Sequence, residues 1–185
     1  MKLLSVNTSQ PKLIQNGKKS GLTGIFKTPN SGPVKVGLLG LEHDVQVDTE
    51  NHGGIEQAVY IYSSNDYDWW AKHLGKPLEP GIFGENLTFS SLPEPLYIKD
   101  QFELGTVILE VTWPRIPCST LSARMQDLAF VEKFVQAERP GVYAKVIQEG
   151  SLRAGDSVNY VRGENTTTAL EEFHRFYQKN PALKP

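Results

Sequence analysis

The chain has 185 residues, enough for about one domain with a substantial hydrophobic core. Lys and Arg number 19 and Asp and Glu 21, a net charge of −2 that argues against a dedicated nucleic-acid binder. One cysteine excludes an intrachain disulfide framework and a Cys-rich zinc site, and no run approaches the roughly 18 apolar residues of a membrane-spanning helix.

The first residues, M-K-L-L-S-V-N-T, lack the apolar core and cleavage site of a secretion signal, so the expected location is the reducing cytoplasm. Strands are predicted over residues 1–6, 34–38 and 58–62. A longer one covers 102–113, broken at Gly105, with apolar residues on both faces as in a buried barrel or sheet strand. Two more are predicted at 141–147 and 157–161. The first predicted helix covers 65–74, capped by Asn65 or Asp66 and stopped by Gly75, with Tyr67, Trp70 and Leu74 on one face. The second covers 127–138, with a stripe of Leu128, Val131 and Val135, and ends at Pro140-Gly141. The third covers 169–179, opened by a Thr168/Glu171 capping box and lined by Leu170, Phe173 and Tyr177. These elements predict a mostly β main body over residues 1–162 and a short helical tail over 163–185.

Chemistry-bearing residues fall in a few loops. Cys118 closes W-P-R-I-P-C after the strongest strand, where two prolines make a stiff, donor-poor loop. Arg115 and Arg124 are near enough in sequence to favour its thiolate, a soft metal ligand or a nucleophile; a lone cysteine is otherwise a small buried hydrophobe. In Asn51-His52-Gly53-Gly54, paired glycines permit close backbone approach to a ligand and His52 can donate to an anion; the alternative is a tight turn with an exposed histidine. In G-I-F-G-E-N-L at 81–87, Glu85 and Asn86 suit the edge of a heterocycle such as a pterin or purine, unless they face water. Lys27 and Lys35 offer point charges for phosphate but are equally ordinary solvated lysines. Asp44 and Asp48 read as solvated turn residues, and His43, His73 and His174 as surface or helix-end residues.

The order T-G-I-F-K at 23–27, H-G-G at 52–54, F-G-E-N-L at 83–87 and P-R-I-P-C at 114–118 resembles the MOSC domain family, named for the C-terminal domain of molybdenum cofactor sulfurases, and within it the stand-alone bacterial, YiiM-like branch. The resemblance spans about residues 20–162. It implies a β-barrel-like fold with peripheral helices. It also implies a labile molybdenum cofactor, a molybdopterin, with Cys118 as the molybdenum ligand or sulfur carrier. Phe83, Gly84, Glu85, Asn86 and Leu87 match a pterin-holding loop, and His52, Gly53 and Gly54 a second cofactor-facing loop. Phe26, Lys27 and Arg115 match the same cleft, where the two cations offset phosphate or oxo charge. Two departures stand out: Gln57 replaces a basic residue after H-G-G, and the tail is shorter than that of the branch.

The resemblance implies a reductase of N-hydroxylated small molecules of the hydroxylaminopurine type. Cys118, Arg115 and His52 would be catalytic, and an external redox protein would supply electrons, since no flavin or nicotinamide motif is visible. No nucleic-acid or membrane partner is expected. One alternative is a non-enzymatic cofactor or sulfur carrier with a persulfide on Cys118. Such a carrier only receives sulfur, because no pyridoxal-phosphate domain fits in this length. A cysteine hydrolase using His52 as base is a further alternative.

Overall fold

The computed structural model describes residues 1–17, 19–47 and 53–183. In chain order it opens with strands β1 (Leu3–Thr8), β2 (Lys12–Asn16), β3 (Lys19–Thr23), β4 (Thr28–Pro29), β5 (Val34–Gly37) and β6 (Gly40–Leu41). A 3-10 turn (Ile55–Gln57) leads into β7 (Val59–Ser63), α1 (Ser64–Leu74) and β8 (Leu87–Phe89). Then come β9 (Gln101–Leu104), β10 (Val107–Pro114), α2 (Ser119–Met125), α3 (Phe130–Ala137), β11 (Val142–Gln148), β12 (Gly150–Leu152) and β13 (Asn159–Val161). Helix α4 (Ala169–Lys179) and a 3-10 turn (Pro181–Leu183) end the described chain.

The main sheet has eight strands in the order β13-β9-β10-β11-β7-β8-β1-β4. Its centre is β7, in which all five residues are buried. It pairs antiparallel with β11 and parallel with β8. A parallel pair needs a crossover, and α1 lies in it. The predicted break at Gly105 is a hairpin turn (φ +61°) between β9 and β10. The small hairpin β2–β3 turns at Gly17 (φ +60°) after Asn16, an Asn-Gly hairpin signal that the strand prediction passed over.

The fold is mostly β, as expected, but the barrel is not. The terminal strands β13 and β4 do not pair, so the described sheet is open. The chain start does reach back across it: Leu3 N donates to Asp156 O and Gly155 N to Leu3 O, at 2.9 and 2.7 Å.

Helix ends follow their capping chemistry with one change. Ser63, not Asn65 or Asp66, caps α1, its Oγ accepting from Asp66 N at 3.1 Å. Gly75 supplies the left-handed stop, and the Thr168/Glu171 capping box opens α4. The predicted 127–138 helix is corrected twice. It begins at Phe130, and its buried face is Phe130 and Phe134, leaving Leu128 in solvent. The aromatic rings offer more area to bury than the leucine and valine stripe. Helix α2 was not anticipated; Pro117 directly before Cys118 hid its start.

Two buried clusters result. One lies within the sheet, around Val59, Ile61, Leu87, Phe89 and Phe102. The other is aromatic, with Tyr62, Tyr67, Trp70, Phe130 and Phe134 around Phe83. Helix α4 buries Ala169, Phe173 and Tyr177, leaving Leu170 partly exposed. Among the described residues no helix is long and apolar enough to cross a membrane.

Candidate active site

A cleft of about 1000 Å³ opens beside the aromatic cluster. Strand β10 aims the P-R-I-P-C loop into it. The β10–β11 register shifts between Val111 and Trp113, just before the loop; such bulges re-aim side chains. Pro114, Arg115, Pro117 and Cys118 line one wall, with Cys118 half-buried. Lys27, Phe83, Gly84 and Asn86 line another.

Arg115 is buried, and its ion pairs among the described residues include no carboxylate. Its guanidinium lies 5.5 Å from the Tyr60 ring and 5.4 Å from the Phe134 ring. Burial opposes the charge, but Tyr60, Tyr143 and Cys118 outweigh it and hold the group above its ordinary range. One nitrogen, Nη1, has no hydrogen-bond partner. The buried Oε1 of Gln57, also on the wall, has none either. Two residues that line one cleft with a thiol thus each carry a buried polar atom without a partner, one a donor and one an acceptor.

The glycine motifs meet each other rather than open space. A Cβ on Gly81 (φ +90°) would stand 2.5 Å from Lys27 O, and one on Gly84 (φ +82°) 2.9 Å from Ile25 Cγ1. T-G-I-F-K and G-I-F-G-E-N therefore pack loop on loop. Lys27 Nζ sits at 2.6 and 2.5 Å from the Asp44 carboxylate oxygens. Burial pulls its pKa down, and Asp44 opposes the pull. Asp44 is accordingly no solvated turn residue: it also accepts from Ser9 N at 2.9 Å and Asn86 Nδ2 at 2.8 Å. Asn86 Oδ1 accepts from Tyr60 N at 3.0 Å, so this amide ties three segments together.

Glu85 is fully buried behind the wall. Its Oε1 accepts from Tyr67 Oη at 2.5 Å, Gly81 N at 2.7 Å and Thr88 Oγ1 at 2.8 Å. Burial pushes its pKa up, the three donors opposing. The folded state then holds a proton that the unfolded chain releases near the ordinary carboxyl pKa, so stability falls as pH rises above that value. Glu85→Gln keeps an acceptor without the charge. In melting curves at pH 5 and pH 8, the variant should lose less stability than wild type; an equal loss would contradict a buried, proton-holding Glu85.

The other predicted residues lie elsewhere. Leu87 is in the sheet core, and Phe26 lies under Arg124, 4.8 Å from ring centre to guanidinium. Gly53 and Gly54 are half-buried and off the wall, Gly54 N donating to Gln46 Oε1 at 3.0 Å. His52 and Asp48 lie outside the described residues. Residues not anticipated complete the cleft: Asn16, Leu22 and Thr23 from the hairpin, and Phe176, Tyr177 and Leu183 from the C-terminal segment. Burial pushes the Tyr177 hydroxyl up to about 12, so it is a neutral donor at physiological pH. The N-G pair could have flagged the hairpin; nothing local places the tail at the cleft.

Among the described residues no three His, Cys, Asp or Glu side chains converge as a metal site. A metal held here would bring most of its ligands with it, on a cofactor. The open donor of Arg115, the open acceptor of Gln57 and the thiol of Cys118 fit such an anionic, sulfur-seeking group.

A mostly β fold that presents one cysteine from a P-R-x-P-C loop to a polar-floored cleft defines the class as a MOSC domain. The MOSC domain family matches residues 48–159, more than half of the chain, and the chain belongs to it, on its bacterial, YiiM-like side. The chain is 35% identical to YflK of Bacillus subtilis over 88% of its own length and 74% of that protein's. It is 34% identical to a protein named "Reductase" from Gibberella moniliformis, spanning 77% of this chain but 27% of that one. The crystal structure of YiiM from Geobacillus stearothermophilus superposes with a TM-score of 0.76 at 27% identity, covering all of this chain and 91% of that one.

Proposed function

We propose that this protein binds a molybdenum cofactor of the molybdopterin type and reduces N-hydroxylated small molecules to the amines, with electrons from an external redox protein. The observation that carries the proposal is Arg115: a buried cation with an open Nη1 on the wall that also holds Cys118. Tyr60, Tyr143 and Cys118 support the charge, and the Nη1 they leave unpartnered suits an anion brought by a ligand. The fungal relative named "Reductase" supports the reaction class.

Bound in this cleft, the cofactor would supply two-electron transfer to the N–O bond; with two protons the products are the amine and water. The chain's own residues bind and orient. Cys118 Sγ would be the chain's ligand to the metal. Arg115 Nη1 steadies negative charge next to it, and Gln57 Oε1 accepts from an N–H or O–H of the bound group. The Lys27–Asp44 pair and the Asn86 amide hold the facing loop rigid. Asn86 and Glu85 act mainly through the chain itself, not as free pterin contacts.

The test combines a reaction and a variant. Protein from molybdate-supplemented cells, given a chemical or protein electron donor, should reduce 6-hydroxylaminopurine to adenine. Arg115→Met should lower affinity for the anionic cofactor about 10- to 100-fold, as losses of supporting groups at metal sites do. Its melting temperature should fall modestly, because the contacts with the Tyr60 and Phe134 rings and the hydrogen bond with Tyr143 are lost, so cofactor content is read on protein shown to be folded. Unchanged cofactor content in Arg115→Met, or no reduction by the loaded protein, would refute the assignment.

A further inference from the structure

Much of the solvent-exposed rim of the same cleft is apolar, beside an exposed Asn16–Ser119 hydrogen bond. Leu22 on β3 is 57% exposed, Val47 42%, Trp113 on β10 37%, Leu128 between α2 and α3 93%, and Leu183 in the C-terminal turn 59%. All five line the cleft. Single exposed leucines are ordinary; five large apolar side chains from distant segments around one opening are not. The three charged side chains on the described wall, Lys27, Asp44 and Arg115, are all buried, so none of them stands at the mouth. The volume, about 1000 Å³, lies at the upper end of ligand sites, which leaves room beside a group held at Cys118.

From this geometry we infer that the cleft selects substrates with an uncharged aromatic or aliphatic body, seated between Leu22, Trp113, Leu128 and Leu183, with the polar head directed inward to Arg115 and Gln57. The inference rests on the function proposed above and adds its specificity-determining residues. Phosphorylated relatives of the same body are disfavoured, because the described mouth offers their charge no partner. The C-terminal segment contributes Leu183 and, deeper, Phe176 and Tyr177, so it forms part of the substrate wall.

The experiment uses N-phenylhydroxylamine, hydroxylamine, N4-hydroxycytidine and N4-hydroxycytidine 5′-monophosphate. Binding of N-phenylhydroxylamine to the purified protein is read by calorimetry, and kcat/KM is read on loaded protein. The double variant Leu128→Ser/Leu183→Ser should weaken N-phenylhydroxylamine binding about 10-fold, and its kcat/KM ratio over hydroxylamine should fall as much. Leu13→Ser, exposed but off the cleft, should leave both values unchanged. Wild type should take N4-hydroxycytidine at least about 10-fold better than its monophosphate. The inference is overturned if the double variant binds N-phenylhydroxylamine as wild type does, or if the monophosphate is preferred. It is also overturned if the double variant is impaired only with a protein electron donor and not with a chemical reductant, which would make the rim the donor's docking surface. If wild type binds N-phenylhydroxylamine but reduces no N-hydroxylated compound, the proposed reaction fails while rim recognition stands.

Discussion

Asp44→Ala is expected to cost about 3–5 kcal/mol of stability, the usual penalty for stranding one partner of a buried ion pair. In a chain of this size that is a fall in melting temperature of roughly 6–20 °C. The reason is the number of groups that converge on one carboxylate. Asp44 accepts from Lys27 Nζ on both oxygens, from Ser9 N and from Asn86 Nδ2. Removing it leaves a buried ammonium and a backbone N–H without an acceptor, and the Asn86 amide with only a long bond to Asn7 O at 3.4 Å. The sign with pH follows. Burial already lowers the Lys27 pKa and Asp44 opposes that, so without Asp44 it drops further. The unfolded chain then binds more protons than the folded one, and the variant regains stability as pH rises. Thermal melts from pH 6 to 9 should show the gap to wild type narrowing. The double variant Lys27→Met/Asp44→Leu should recover only the part of the loss that comes from the stranded ammonium, since Ser9 N and Asn86 Nδ2 still lose the Asp44 acceptor. A single variant as stable as wild type would mean the pair does not brace the loops.

Cys118→Ser has the opposite profile. Cys118 is half-buried at the cleft wall, not a core residue, so stability should stay within about 1 kcal/mol of wild type. Reductase activity should fall at least about 100-fold, more than the loss of a supporting residue around a metal, because a hydroxyl is a poor substitute for a thiolate on a soft metal. Circular dichroism melts and steady-state rates on the same preparation separate the two effects. A variant with normal melting and normal rate would remove Cys118 from the chemistry.

The division between legible and hidden features follows the range of the interactions. Local chemistry was readable: Gly75 as a helix stop, Thr168 and Glu171 as a capping box, Gly105 as the break between β9 and β10. These depend on residues within a few positions of each other. The buried role of Asp44 was not readable, because its partners Lys27 and Asn86 lie 17 and 42 residues away. Leu128 looked like part of an apolar stripe, yet the aromatic pair Phe130 and Phe134 took the inner face. Barrel closure was expected from the family and is not found, since β13 and β4 remain unpaired edges. At the site, the P-R-I-P-C loop announced itself through its prolines and lone thiol. The paired glycines at 53–54 were read as room for a ligand but lie off the cleft wall, whereas Gly81 and Gly84 are where two loops touch. The open acceptor of Gln57 and the apolar rim exist only once distant segments converge.

The central claim is that Cys118 and Arg115 hold a molybdenum-bearing anion in this cleft. Its most direct test is elemental and mass analysis of the chain purified from molybdate-supplemented cells, beside Cys118→Ser. The account predicts molybdenum and molybdopterin in near-equal amounts to wild-type chain, and neither retained by the variant. Wild-type chain free of molybdenum, with a persulfide on Cys118, would contradict it and make the protein a sulfur carrier.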